Sequence, residues 1–148
     1  MHGSHEVAMR VLGIDFGIKR VGLAVGSTQT GLVRPLGVIH RTTRKALWEE
    51  LLAVIAREQV QAIALGYPAL ESGADSETCR QVRNFRDHLA RHTPLPITLV
   101  NEAYTTAEAL QRLAEAGIPA SRRQEMRDAM AAVGIVESFL RQCSDASA

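Results

Sequence analysis

The sequence predicts an α/β domain built on a five-stranded mixed sheet, three antiparallel strands followed by two parallel ones, with helices flanking it. Three observations lead there. Residues 11–16 and 21–26 are apolar runs of strand length separated by four residues, the pattern of a hairpin. Short apolar runs at 62–65 and 96–100 then alternate with helix-length amphipathic segments, as parallel strands reached by helical crossovers do. At 148 residues, 46% of them hydrophobic and 22% charged, the chain is long enough for one packed core.

Taken in order, residues 1–8 are polar and read as a flexible extension, with the domain proper over 9–142 and a polar tail at 143–148. In the first strand Leu12, Ile14 and Phe16 share one face, while Val11, Gly13 and Asp15 share the other. Asp15 is therefore a carboxylate in an apolar strand, and an ionised one there must be paired, hydrogen-bonded or bound to a cation. Gly13 and Gly17 flank it and remove side-chain bulk, so a large anionic ligand has room to approach. The hairpin tip over Gly17 to Arg20 is basic. Val33 to Ile39 carries Pro35 and belongs at a sheet edge. Thr42 or Thr43 caps a helix over about Lys45 to Glu58, with Leu47, Leu51, Leu52, Val54 and Ile55 at helical spacing and Trp48 at the edge of that face.

Ala62 to Leu65 is a buried strand ended by Gly66. The loop from Gly66 to Ser76 is long and rich in turn residues, and such loops at strand carboxyl ends are where ligands bind in open sheets. Glu77 to His92 forms the second helix. Pro96 to Val100 is the last strand and leads into Asn101-Glu102. Thr105 and Glu108 have capping-box spacing and open a further helix that Gly117 stops. A basic, mobile connector over Gly117 to Gln124 precedes a final helix from about Arg122 to Gln142.

Net charge is only +1, which does not announce a nucleic-acid binder. Yet 15 of the 17 basic residues are Arg, whose planar fork suits phosphate, and they cluster, as at Arg122, Arg123 and Arg127. Phe, Tyr and Trp make up 4% of the chain, so no aromatic platform for bases is expected and shape should govern recognition. No apolar run is long enough for a bilayer and no signal region is visible. Cys79 and Cys143 lie in no metal-binding pattern, which fits a reducing cytoplasm.

Three carboxylates stand out. Asp15 is on the first strand, Glu102 at the carboxyl end of the last, and Asp128 on the final helix beside Ala131, Ala132 and Ile135, a small-residue strip that can approach a sheet closely. If they converge, divalent cations must offset their repulsion, and oxygen ligands favour Mg2+ or Mn2+. Two such ions about 4 Å apart activate water and stabilise the leaving oxygen in phosphodiester hydrolysis.

Several stretches resemble the YqgF/RuvX family of Holliday junction resolvase-like and ribosomal RNA precursor nucleases. They are GIDFGIKRVGLAVG at the start, RPL at 34–36, ALGYP with a following Gly73, NEAYTTAEA, and RDAMAAVGIVESFL at the end. The resemblance implies a ribonuclease H-like fold, with Asp15, Glu102 and Asp128 as the catalytic, metal-binding triad. Lys19, Arg20, Thr105, Thr106, Arg122 and Arg123 are then the residues expected on the nucleic acid. The implied protein is a cytoplasmic, Mg2+- or Mn2+-dependent endonuclease, monomer or homodimer, acting on an RNA precursor or branched DNA and not on membranes. One departure is visible: where the family pattern is similar to Asp-Glu-Arg, this chain has Asn101-Glu102-Ala103. That departure speaks for the alternative of a non-catalytic binding or ribosome-assembly factor that has kept the fold, and the intact Asp15, Glu102 and Asp128 speak against it.

Overall fold

The computed structural model describes residues 9–67, 77–101, 111 and 114–147. Its elements are β1 (Arg10–Phe16), β2 (Arg20–Ser27), β3 (Val33–His40), α1 (Arg44–Arg57), β4 (Ala62–Tyr67), α2 (Glu77–His92), β5 (Ile97–Asn101) and α3 (Ala120–Ser147). The sheet runs β3-β2-β1-β4-β5. β1 and β3 both pair antiparallel to β2, whereas β1–β4 and β4–β5 are parallel. The mixed sheet read from the sequence is thus present. β3 occupies an edge, where Pro35 removes no needed donor, and the β2–β3 register shifts between Leu23 and Ala24, beside Pro35.

Period-two alternation gives the sheet two different faces. Leu12, Ile14, Leu23, Ile63 and Leu65 are buried against Leu47 and Leu51 of α1 and Val82, Phe85 and Leu89 of α2. Each such side chain contributes about 1.5–3 kcal/mol on burial. On the other face Val11, Ala24, Ala62 and Ala64 meet Ala132, Val133, Val136 and Phe139 of α3. That second face is made of small residues because α3 nearly touches the strand backbone. A Cβ on Gly13 would lie 2.3 Å from Val136 Cγ2 and 2.7 Å from the Ala132 carbonyl oxygen.

Capping chemistry sets the ends of α1. The Thr43 hydroxyl accepts a hydrogen bond from the Ala46 amide at 3.0 Å. At the other end Gln59 is left-handed (φ 54°), its amide donates to Ala56 O, and the Val60 amide donates to Ile55 O, the paired bonds of a Schellman motif. Glu58 then receives Arg10 at 3.0 Å and Arg34 at 2.6 Å, tying the helix end to β1 and β3.

Three boundaries differ from the sequence reading, the first being that the last helix runs on to Ser147, through the stretch expected as a polar tail. β2 begins at Arg20, so the hairpin tip is shortened to residues 17–19. The final helix begins at Ala120, within the stretch expected as a connector: the Arg122 and Arg123 amides donate to Pro119 O at 2.9 and 3.1 Å. Pro119 starts that helix, since a proline at a helix entrance forfeits no bond the helix needs. The expected extension at 1–8, nearly all of the loop after Gly66, and the helix opening at Thr105 lie outside the described residues.

Candidate active site

Asp15 pairs across the hairpin with Gly22. Residues directly opposite in an antiparallel pair share a face, about 4.5–5.5 Å apart. The face is identified by Gly22, where an added Cβ would lie 2.1 Å from the Asp128 carbonyl oxygen and 3.2 Å from Asp128 Cβ. Asp15 and Asp128 therefore sit on the same side of the sheet, and α3 passes closely enough to bring them together only because residue 22 has no side chain. On the other flank the parallel register Gly13–Ala64, Ile14–Leu65 leads to Gly66 beside Asp15. The half-buried Asp15 thus stands between two glycines, and the backbone of α3 at Asp128 fills the Gly22 flank.

Asp128 is only 14% exposed and is held by arginines. Arg20 Nε donates to its Oδ2 at 2.7 Å, and an Arg127 terminal nitrogen lies 3.6 Å from Oδ1. With its amide turned to satisfy both ends, the Gln124 side-chain oxygen accepts from Arg20 at 2.5 Å and from Arg127 at 3.3 Å. Arg20 reaches this position because, as the first residue of β2, it shares the face of Gly22. Next to it, His40 Nε2 lies 2.5 Å from a Glu125 oxygen, joining the end of β3 to α3.

The other expected site residues are spread around this centre. Lys19 is exposed on the hairpin tip and Arg122 is exposed on the first turn of α3. Arg123 turns back, donating from Nε to Ile118 O at 2.7 Å. Glu102, Thr105 and Thr106 lie outside the described residues. Among the described residues no three His, Cys, Asp or Glu side chains gather as a metal cluster. The two on this face, Asp15 and Asp128, are hard oxygen donors of the kind Mg2+ and Mn2+ take. On these residues the site fits such a cation, with a third ligand required.

Sequence reasoning missed Gln124, four residues before Asp128, and read Arg127 as part of a phosphate-suited cluster, where the structure sets it beside Asp128. It also missed an aromatic column on the opposite face of the sheet. Phe16 stacks on Phe85 (centroids 4.3 Å apart), Trp48 on Phe85 (5.4 Å) and His92 on Trp48 (4.2 Å). The Arg41 guanidinium lies 4.8 Å over the Phe16 ring. Few aromatics are present, but the fold collects three of them.

Comparison with known proteins identifies relatives of the chain. A family model described as "RuvX: Holliday junction resolvase" matches residues 9–142. A protein of Maridesulfovibrio salexigens provisionally named a pre-16S rRNA nuclease is 44% identical over 132 residues, covering 89% of this chain and 98% of that one. A Burkholderia ambifaria protein with the same name is 33% identical over 145 residues, covering 98% and 97%. Among solved structures, Thermus thermophilus RuvC in complex with a Holliday junction superposes with a TM-score of 0.58 at 19% identity, covering 90% of this chain and 96% of that one. The fowlpox virus resolvase with junction DNA gives 0.57 at 10% identity, covering 91% and 99%. These structural likenesses are statements about fold. With relatives aligned over nearly their whole length and a matching model that runs from β1 into the last helix, the chain belongs to the RuvX (YqgF) family and has a ribonuclease H-like, resolvase-type fold.

Proposed function

We propose that the chain is a divalent-metal-dependent endonuclease that hydrolyses phosphodiester bonds in structured nucleic acid, with the nuclease domain at residues 9–142. The observation that carries this reading is the approach of Asp128 to Asp15 across Gly22, two oxygen donors on one face at the carboxyl end of β1. Asp15, Asp128 and Glu102 are the residues that would hold Mg2+ or Mn2+. Such a cation, when bound, lowers the pKa of a coordinated water and neutralises charge on the leaving oxygen. The chain's own groups do the positioning. Arg20 and Arg127 neutralise the Asp128 carboxylate while no cation is bound, Lys19 and Arg122 take phosphates flanking the scissile bond, and Thr105 or Thr106 orients Glu102 or contacts a phosphate. A ribosomal RNA precursor in the cytoplasm is the favoured substrate, on the names of the curated relatives. Branched DNA is the ligand in the junction complexes that share the fold.

The test is cleavage of a pre-16S rRNA fragment and a synthetic four-way DNA junction with Mn2+, with Mg2+ and with chelator, beside Asp15→Asn. Metal-dependent cutting should fall about a hundredfold or more in the variant, the scale of losing several kcal/mol of charge stabilisation, while binding persists. The same products at the same rate from Asp15→Asn would overturn the mechanism. Binding without cutting by the wild type would favour the assembly-factor reading, for which Asn101 and Ala103 speak, and make Ala103→Arg the first variant to examine.

A further inference from the structure

Asp15 and Phe16 are consecutive, so their side chains leave the end of β1 on opposite faces. Below the sheet, on Phe16's side, lies an open cleft of about 370 Å³ between the hairpin tip, the first turns of α1 and one face of α2. That is within the roughly 300–1,000 Å³ typical of small-ligand pockets. Phe16, Phe85 and Trp48 contribute to its wall, and because the rings stack on one another their edges are what the cleft meets. Ile18 stands at the mouth, 71% exposed, an apolar side chain with no core to join.

The rim is cationic. Arg41 is fixed there, donating to the carbonyls of Gly17 and Ile18 at 3.0 and 3.1 Å. Arg44 opens α1, is exposed, and makes no ion pair among the described residues. No carboxylate lines the cleft among the described residues. The first turn of α1 contains no acidic residue, and Arg44 and Lys45 occupy it instead. Cations at a helix N-terminus oppose the macrodipole, which an anion docked beside them would relieve.

We propose that this cleft is an accessory subsite that receives one unpaired nucleotide of the bound strand, its base against the ring edges and Ile18 and its phosphate between Arg41 and Arg44. Bases meet aromatic edges and guanidinium planes favourably, and the amides of Gln81 and Asn84 on the α2 side supply hydrogen-bond donors and acceptors for a base edge. A duplex cannot place a paired base there. The subsite therefore selects a single-stranded flank, and the strand rounds the hairpin tip, past Lys19, between this cleft and the Asp15 face. The inference rests on the reading of the chain as a nucleic-acid enzyme and adds to it the state of the substrate next to the cut.

Trp48 is the only tryptophan in the chain and borders the cleft, so its emission reports on occupancy. The experiment titrates an oligothymidylate of about six nucleotides, in chelator so that nothing is cut, into wild type, Arg44→Glu and Ile18→Asp. Both substitutions are at exposed positions, and thermal melts confirm folding. The expected result is a saturable change in Trp48 emission, with Kd raised about tenfold in each variant and a blunt G·C-rich duplex of about fifteen base pairs, long enough to stay paired, binding more weakly. Unchanged affinity in both folded variants, or equal binding of the duplex, would overturn the subsite. The nuclease reading stands or falls separately. A wild type that never cuts yet shows the Arg44-dependent affinity sinks the nuclease alone, and an active enzyme indifferent to both substitutions sinks the subsite alone.

Discussion

At the scale of single residues, the ion pair between Arg20 and Asp128 decides how the candidate centre responds to cations. A guanidinium 2.7 Å from a carboxylate oxygen competes for the lone pairs a metal ion needs and adds a like charge beside it. Arg20→Gln should therefore tighten Mn2+ binding severalfold, measured as the concentration that half-saturates the metal-induced rise in melting temperature. The same variant without metal should be less stable by about 1 kcal/mol, because the pair is partly buried. Weaker Mn2+ binding in Arg20→Gln would mean that Arg20 presents Asp128 to the ion instead of competing for it. None of this was legible from the hairpin sequence. Gly17 to Arg20 looks like a four-residue tip, and only the pairing of β2 from residue 20 onward turns Arg20 inward.

At the scale of elements, the placement of α3 is the structural basis of the site. Gly22→Ala would set a methyl group 2.1 Å from the Asp128 carbonyl oxygen, and backbone must move to admit it. Overpacking of this kind costs about 1–3 kcal/mol, so the variant should melt lower, and cleavage should fall because Asp128 is carried away from Asp15. A Gly22→Ala protein with wild-type stability and rate would show that α3 need not touch the sheet there. The end of α1 is a second test. Burial raises the Glu58 pKa, but the hydrogen bond from Arg57 and the charges of Arg34 and Arg10 outweigh it, and the net result is a pKa below the ordinary carboxylate value. A carboxylate depressed in the folded state contributes stability above its unfolded pKa, and that contribution disappears as pH falls through the folded one. Melting curves from neutral pH into acid should show Glu58→Gln well below wild type at pH 7, with the gap closing below about pH 4. A gap that stays constant would remove Glu58 as its source. The period-two alternation of β1 placed Asp15 on the correct face from sequence, and the alanines around Asp128 announced close packing. The start of α3 was misread because Gly117 and Pro119 resemble loop punctuation, when together they end one segment and admit the next.

For the whole molecule, a net charge of +1 means that attraction for nucleic acid must come from local placement of cations. Lys19, Arg44 and Arg122 are among the exposed cations not held in ion pairs among the described residues, and they stand at the hairpin tip and at the starts of α1 and α3. The logarithm of the binding constant for a single strand should fall with the logarithm of salt concentration at a slope of about −2, by fluorescence anisotropy. Lys19→Ala should reduce the steepness by about 1, and an unaltered slope would remove Lys19 from the phosphate path. The two sides of the sheet were legible in sequence to different degrees. Carboxylates announce themselves one at a time, whereas Phe16, Trp48 and Phe85 are ordinary core residues until three separate elements bring them into one column.

The glycine- and alanine-lined side of the sheet has a further consequence for how the chain tolerates change. Beneath α1 and α2 the core is built of large branched side chains, and substitutions of similar volume there can be absorbed by neighbours shifting rotamer. Beneath α3 two backbones are in contact at Gly13 and Gly22, and a backbone has no rotamer to change. Stabilising redesign of this protein therefore has freedom on one side of its sheet only. The other side, where Asp15 and Asp128 meet, permits almost no drift in side-chain size.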